Sequence, residues 1–403
     1  MNGDLSLELG KIIKDKSILS NWDSSMSSFP ANNIKYLGMD YLTNANKILN
    51  LDKKALQVLI DHAGKISKNL FLKQLYWHYC ITLSNLEKNF DPWTFCFPSL
   101  NGMYGIDSGV FGLLALLSRL DSLIVHYSNS GITEDILRDT LSDINLWMNK
   151  YYNENGHWGF SQSNWLLLHM TGRLYRLGRL QFSMEYMNTP LRAYKHKNSN
   201  EIIAFFEKGI KIRQDGLIDG TNSICDPLCW SAEFNENHDK ITGNPIKSIG
   251  KVEKSLLVLD SSDYNLALKA GDPVLDVHIP EGEKLELESC LISFSKAQKF
   301  FSTTFPEFDF KAFVCYTWLF DWQLSNILPP ESNIVKFQRL FYLFPVKSDD
   351  IQMFERVFGV RHKDLDKIQL KTSLQKHLAE YLQKGNKMSN AGGFIIRSQI
   401  HVI

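Results

Sequence analysis

The sequence predicts a two-domain protein of the α/β (α+β) class: an irregular helical domain over residues 1–165, then a mixed-sheet domain over residues 166–403. Three observations carry this. A chain of 403 residues exceeds what one small core organises, so two domains of ordinary size are expected. Up to Trp165, apolar side chains recur at three- and four-residue spacing. Beyond it the spacing turns to alternation, and Pro273 to Trp318 reads as strand, helix, strand.

Composition narrows the function classes. Hydrophobic residues make up 44% and charged residues 22%, an ordinary globular balance. Lys+Arg and Asp+Glu both number 44, so there is no basic excess of the kind that nucleic-acid binding needs. The N-terminal MNGDLSLELGKIIKDKS lacks a basic-then-apolar leader. The most apolar run, Val110 to Tyr127, is broken by Arg119 and Asp121 and is shorter than the ~20 residues that span a bilayer. Cys80, Cys96, Cys225, Cys229, Cys290 and Cys315 are dispersed, which suits reduced thiols. Together these features predict a cytoplasmic protein without a membrane span.

In the first domain, helices are expected over Ile34–Leu51, Lys53–Ile66, Asn69–Glu87, Asp107–Tyr127 and Thr133–Tyr151, with breaks at Asp91-Pro92 and Asn101-Gly102. No fixed-period repeat supports a solenoid. In the second domain, Gly172–Tyr186 alternates as one long strand. Leu174, Gly178, Leu180, Phe182 and Met184 share one face, and Arg173, Tyr175, Arg179, Gln181 and Glu185 the other. Asn200–Gly209 is expected as a short helix, and Asp215–Pro245, dense in Gly, Asn, Asp and Pro, as a long loop.

The next segment says most. Val274–Ile279 is a strand closed by Pro280-Glu281-Gly282. Leu285–Thr304 is an amphipathic helix with Leu287, Leu291, Phe294, Ala297 and Phe301 on one stripe, stopped by Pro306. Phe310–Trp318 is a second strand. Two strands joined by such a helix are parallel neighbours with a right-handed crossover. A helix over Asp321–Ile327, a strand over Asn333–Phe344, a largely helical Asp349–Gly385 and a short apolar tail, Gly393–Ile396, complete the chain.

The segments LDVHIPEGEKLELESC, FKAFVCYTWLFDWQLSNILPPESNIVKFQR and GRLYRLGRLQF resemble bacterial acyltransferase-domain proteins. These carry a helical N-acyltransferase N-terminal domain followed by a GNAT-like C-terminal domain. The likeness extends over most of the chain and is densest from Asp272 to Arg339. It implies an acyltransferase in which two parallel strands, here Val274–Ile279 and Ala312–Trp318, splay apart to take the pantetheine arm of acyl-CoA. It also implies that the following helix turns its N-terminus to the pyrophosphate, which sets Ile279, Pro280, Gly282, Lys284, Cys315 and Trp318 along the donor. The usual Gln/Arg-x-x-Gly-x-Gly/Ala loop is absent; Pro280-Glu281-Gly282-Glu283-Lys284 stands in its place. Glu281, Glu283, Glu286 and Glu288 suit a helix dipole but repel phosphate, with Lys284 opposing them. An acyl-carrier protein as donor therefore stays open beside acyl-CoA or CoA.

N-acyl transfer needs an oriented neutral amine, donors for the oxyanion and a proton for the leaving thiolate. His278 is the leading base, with Asp276 on the same strand face to orient it; a structural His at a strand end is the bland alternative. Glu185, Arg179 and Tyr175 fall on the acceptor side or on a solvated strand face. Glu233 is a second candidate base. Tyr316 is a candidate proton donor to the thiolate, or strand packing. Cys315 reads first as a small buried apolar residue rather than an acyl acceptor. Cys225-x3-Cys229 lacks further ligands at zinc spacing, so no metal is expected. No Gly-x-Ser-x-Gly elbow or Walker loop occurs. The expected reaction is direct transfer from an acyl thioester to a small-molecule or peptide amine. A non-catalytic binding module for a peptide or carrier partner, and a thioesterase, are the alternatives.

Overall fold

The computed structural model describes residues 3–87, 90–100, 102–359, 365 and 368–400. The chain forms two compact units. One runs to Leu177 and takes in Pro280–Gly282; the other runs from Gly178 to Ile279 and resumes at Glu283.

The first unit is helical: α1 (Gly3–Ile12), α2 (Trp22–Ser27), α3 (Met39–Leu49), α4 (Lys53–Lys68), α5 (Leu70–Ser84), α6 (Ser108–Leu117), α7 (Leu120–Asn129), α8 (Glu134–Asn155) and α9 (Ser163–Met170), then a short strand β1 (Leu174–Leu177). Side-chain caps set several starts: Asp52, Asn69 and Asp107 accept from Lys54 N, Leu72 N and Val110 N. The apolar run expected as one helix is two, parted at Ser118-Arg119. There the Arg119 guanidinium donates to the Met170 and Leu83 carbonyls, which holds the charge inside the break. No single helix among the described residues is long and apolar enough to cross a membrane. α6 and α7 have that length and composition only together, and they bend by 41°; nearly all of α6 is buried.

Small strands open the second unit: β2 (Leu180–Tyr186), β3 (Leu191–His196), β4 (Ile202–Phe206), β5 (Lys211–Ile212), β6 (Trp230–Ser231), β7 (Phe234–Glu236), β8 (Lys240–Gly243), β9 (Pro245–Lys247), β10 (Lys251–Val252), β11 (Leu257–Asp260) and β12 (Tyr264–Lys269). Then come β13 (Pro273–His278), α10 (Leu287–Thr304), β14 (Ala312–Thr317), α11 (Leu324–Ile327), α12 (Asn333–Gln338), β15 (Tyr342–Pro345), α13 (Ile351–Met353), α14 (Ser373–Gln383) and β16 (Ala391–Ile396). Within this unit the main sheet runs β2-β13-β14-β16-β15. Only β13 and β14 are parallel, as the α10 crossover requires. Phe294 of α10 packs on Phe182 and Phe313 from one face, ring centroids 6.0 and 4.9 Å apart. The other face carries Val274, Ala312, Val314 and Phe394 into a core shared with a second sheet, β10-β9-β4-β3-β12.

Several expectations are corrected here. Gly172–Tyr186 is two strands, because Gly178 adopts φ 84° and turns the chain between β1 and β2. Asn200–Gly209 holds no helix: Ile202–Phe206 is a strand between β3 and β9, where its apolar side chains are buried. Asp215–Pro245 is not loop throughout but folds into the small strands β6, β7 and β8. Asn333–Phe344 is not one strand. Ser332 caps α12, and buried Gln338 donates to the Leu319 and Asp321 carbonyls before β15 begins. The apolar tail is an interior strand, β16, paired on both sides. Its two glycines are required there: a Cβ at Gly392 would lie 2.2 Å from the Phe344 ring, and one at Gly393 2.7 Å from Phe320.

Candidate active site

The β13–β14 ladder is short. Its register runs Val274↔Ala312, Leu275↔Phe313, Asp276↔Val314 and ends there. Each strand continues on its outer side: β13 pairs with β2 as far as His278↔Gln181, and β14 pairs with β16 as far as Thr317↔Ala391. From Val277 and Cys315 onward the two strands are therefore held by other partners and no longer by each other. A parallel pair that opens in this way frees backbone donors and acceptors along both of its edges.

Register also decides which side chains stand together. Directly opposed residues share a face, so Gln181, Ser183 and Glu185 of β2 lie beside His278, Asp276 and Val274 of β13, and Tyr316 of β14 joins them. The imidazole Nε2 of His278 is 3.4 Å from Asp276 Oδ2 and 3.4 Å from Ser183 Oγ. About a quarter of each side chain of the His278–Asp276 pair is exposed, 27% and 24%, enough to be reached by substrate. Burial raises the Asp276 carboxyl above its ordinary value. The His278 charge opposes the rise and the Glu185 carboxylate adds to it. His278, Asp276 and Glu185 are thus brought onto one face.

Tyr316 shares that face, but its hydroxyl is engaged. It donates to Asn188 Oδ1 at 2.8 Å and lies 3.0 Å from Thr189 Oγ1, and burial pushes the phenol up to about 12. At neutral pH it is a protonated, hydrogen-bonded group. Cys315 points to the α10 side and is 2% exposed; burial, reinforced by the Asp276 charge, holds its thiol well above the ordinary range. That environment suits packing, not nucleophilic attack. Trp318 begins a turn of 3-10 helix directly after β14 and is packed with Leu324, Leu328 and Val335. Its N–H donates to Gln352 Oε1 at 3.1 Å.

The segment after β13 is organised differently from the expected phosphate loop. Ile279 follows the last ladder pair and belongs with the sheet unit, whereas Pro280 and Gly282 belong to the helical unit. There Glu281 is paired with Lys150 of α8 at 2.6 Å, so one of the four acidic charges around the start of α10 is neutralised. Gly282 takes φ 103°, a conformation that favours glycine. Glu283 and Lys284 are exposed, but their carbonyls are held: buried Arg179 donates to Glu283 O at 2.7 Å and to Lys284 O at 3.0 Å. Its own N–H donates to Ser293 Oγ of α10. Arg179 is therefore a brace for the loop, not an acceptor-side residue. Tyr175 is likewise fully buried, its hydroxyl donating to Gly172 O. Glu233 is exposed on the small strands, its backbone clamped by Asn244. Among the described residues no three His, Cys, Asp or Glu side chains form a metal-binding group.

Residues 174–395 match the GNAT-like C-terminal domain. The chain belongs to this family. Residues 42–172 match the N-acyltransferase N-terminal domain, so the GNAT-like region follows a helical acyltransferase domain and the protein is an acyltransferase. Among solved structures it is similar to an acyltransferase in complex with decanoyl-CoA and teicoplanin, at 18% identity and a TM-score of 0.67 over 98% of both chains. An acyltransferase in complex with CoA and 10C-teicoplanin matches at 17% identity, again with a TM-score of 0.67 over 98% of both. A third, in complex with decanoyl-CoA, matches at 18% identity and 0.62 over 94% of this chain and 97% of that one. These likenesses show a shared fold along nearly the whole chain. No curated protein matches the sequence.

Ser183 is a neighbour of His278 that the sequence does not single out. Alternation through Gln181, Ser183 and Glu185 marks it, yet only the β2–β13 register brings it to His278.

Proposed function

We propose that this acyltransferase moves an acyl group from acyl-CoA to an amine, with the thioester held where β13 and β14 part. The observation that carries the reading is the end of their ladder at Asp276↔Val314 while both outer ladders continue. A pantetheine arm carries amides that can take up the backbone groups freed along Val277–Ile279 and Cys315–Thr317. The amine nitrogen attacks the thioester carbon, His278 takes the amine proton, the C–S bond breaks, and the thiolate leaves as CoA after protonation. Asp276 and Ser183 orient the imidazole. No acyl-enzyme forms on Cys315, in keeping with its burial.

The acceptor is an amine on a small molecule or a peptide; the solved structures similar to this chain include one with the glycopeptide teicoplanin bound. Aromatic and aliphatic richness suits a donor chain longer than acetyl. An acyl-carrier protein is the second candidate donor, since the loop before α10 lacks the usual phosphate-binding glycines. Six free cysteines suit a cytoplasmic setting. Calorimetric titration with acetyl-CoA, decanoyl-CoA and a decanoyl-carrier protein tests the donor. Saturable decanoyl-CoA binding tighter than acetyl-CoA is expected; binding of none of the three would sink the acyl-transfer reading.

A further inference from the structure

Basic side chains gather at the end of β14 opposite to the opening. An open cleft of about 680 Å³ there, a size usual for small-ligand sites, is lined by Lys195 and Lys197 at the end of β3, Lys311 just before β14 and Arg397 just after β16. Asp309 is the one carboxylate residue in its lining, so four cations face one anion in a chain whose charges balance at 44 of each sign. A cleft lined by one sign of charge focuses its field on whatever enters it. From Lys311 to Cys315, where the opening starts, is roughly 13 Å of strand, so the cleft and the opening are separate places.

How these cations are already occupied says which anion the cleft takes. Arg397 is spent within the protein: its guanidinium donates to Asp309 Oδ1 and Ser302 Oγ, both at 2.9 Å, and lies 4.6 Å from the Phe310 ring centroid. Its fork is therefore not open to grip a planar carboxylate. Lys311 shares Asp309 at 2.6 Å. Lys195 donates to Ser398 Oγ at 3.2 Å and Lys197 to the Ser262 carbonyl, both neutral acceptors, while Asp260 feels the Lys197 charge through space. Among the described residues neither lysine has a carboxylate within ion-pair distance. Each ammonium keeps donors to spare, and a compact ammonium suits a phosphate oxygen. The two stand about 7 Å apart along extended chain, which fits linked phosphates better than a single one.

We infer that this cleft is a second binding site, separate from the donor opening, for a ligand that carries two or three linked phosphates. A nucleoside triphosphate and inorganic tripolyphosphate present the same group, and the lysines recognise that group whichever bears it. Neither the candidate base nor the thioester takes part.

Calorimetry on the full chain with inorganic tripolyphosphate, ATP and citrate tests the inference, in wild type, Lys195→Gln/Lys197→Gln and Lys53→Gln/Lys54→Gln. The last pair is exposed on α4 and removes the same charge elsewhere. Wild type is expected to bind tripolyphosphate about tenfold tighter than citrate, and the affinity should fall about tenfold for each cleft lysine lost. The α4 variant should bind as wild type does. Added S-decanoylpantetheine, an acyl arm without phosphates, should leave tripolyphosphate binding unchanged. ATP binding tighter than tripolyphosphate assigns the site to a nucleotide; equal or weaker binding assigns it to the phosphates alone. Absence of tripolyphosphate binding, citrate bound as tightly, affinity that survives loss of both cleft lysines, an equal loss in the α4 variant, or displacement by S-decanoylpantetheine would each overturn the inference.

Discussion

Nε2 of His278 lies 3.4 Å from Oδ2 of Asp276, two residues earlier on the same strand face, and Ser183 Oγ is equally close. One nitrogen is thus held beside groups fixed in two paired strands. Replacing His278 by Ala should lower kcat by about 10²–10⁴, the usual worth of a positioned base, with little change in decanoyl-CoA affinity. Thiol release from decanoyl-CoA with an accepted amine reads the rate. A retained rate in the folded variant would remove His278 from that role.

Asp276 gives an independent prediction about stability. Its carboxyl is raised in the folded state, mainly by burial, so the folded chain holds the proton more tightly than the unfolded one. Stability contributed by this group is then present at low pH and is lost as pH rises from the ordinary carboxylate value of 3.8 through the raised one. Asp276→Asn should therefore melt higher than wild type at pH 7–8, and the difference should vanish toward pH 4, while turnover falls. Thermal melts across that range check the sign; a variant that is less stable at pH 8 contradicts it.

How much of this was legible in the sequence depended on whether the local pattern and the tertiary partner agreed. Val274–Ile279, Leu285–Thr304 and Phe310–Trp318 were readable because period, length and breakers all point one way, and β13, α10 and β14 follow. The His278–Asp276 pairing needed only strand alternation. Asn333–Gln338 misled because Ile334, Val335 and Phe337 read equally well as a strand; a Ser332 cap and buried Gln338 decide for helix. Ile202–Phe206 misled in the opposite sense, its state fixed by neighbours distant in sequence. Arg179 looked like part of an open polar face, and no local signal reports that two loop carbonyls a hundred residues away receive its guanidinium.

That brace can be cut. Arg179→Met keeps much of the apolar stem but removes two bonds from a buried guanidinium to the Glu283 and Lys284 carbonyls, each charge-assisted. A stability loss of about 3 kcal/mol is expected. Hydrogen exchange should accelerate over Glu283–Glu286 while the β13–β2 ladder stays protected. Weaker decanoyl-CoA binding should accompany it if this segment serves the donor.

Packing behind the opening is equally constrained. Tyr316 meets Phe344 edge-to-face, centroids 5.9 Å apart, and Gly392 opposes Tyr316 in the β14–β16 ladder. A methyl at Gly392 would enter the Phe344 ring at 2.2 Å, so Gly392→Ala must displace that ring. A cost of about 1–3 kcal/mol is expected for such overpacking. Denaturant melts read the cost, and a neutral substitution would show that Phe344 has room to move.

Cys315 separates direct transfer from a covalent route. Its thiol is buried on the α10 side and held well above the ordinary range, chiefly by desolvation, so almost no thiolate exists at neutral pH. A covalent mechanism would need that thiolate facing the donor, and β14 turns it toward Phe313's side of the sheet instead. Cys315→Ala should therefore keep kcat within about twofold while costing about 1 kcal/mol of stability from lost packing. Alkylation of the folded protein at pH 8 should modify exposed Cys225 and spare Cys315. Abolished transfer by a well-folded Cys315→Ala variant, or rapid labelling of Cys315 that decanoyl-CoA blocks, would restore the acyl-enzyme route and displace His278 from direct contact with the amine.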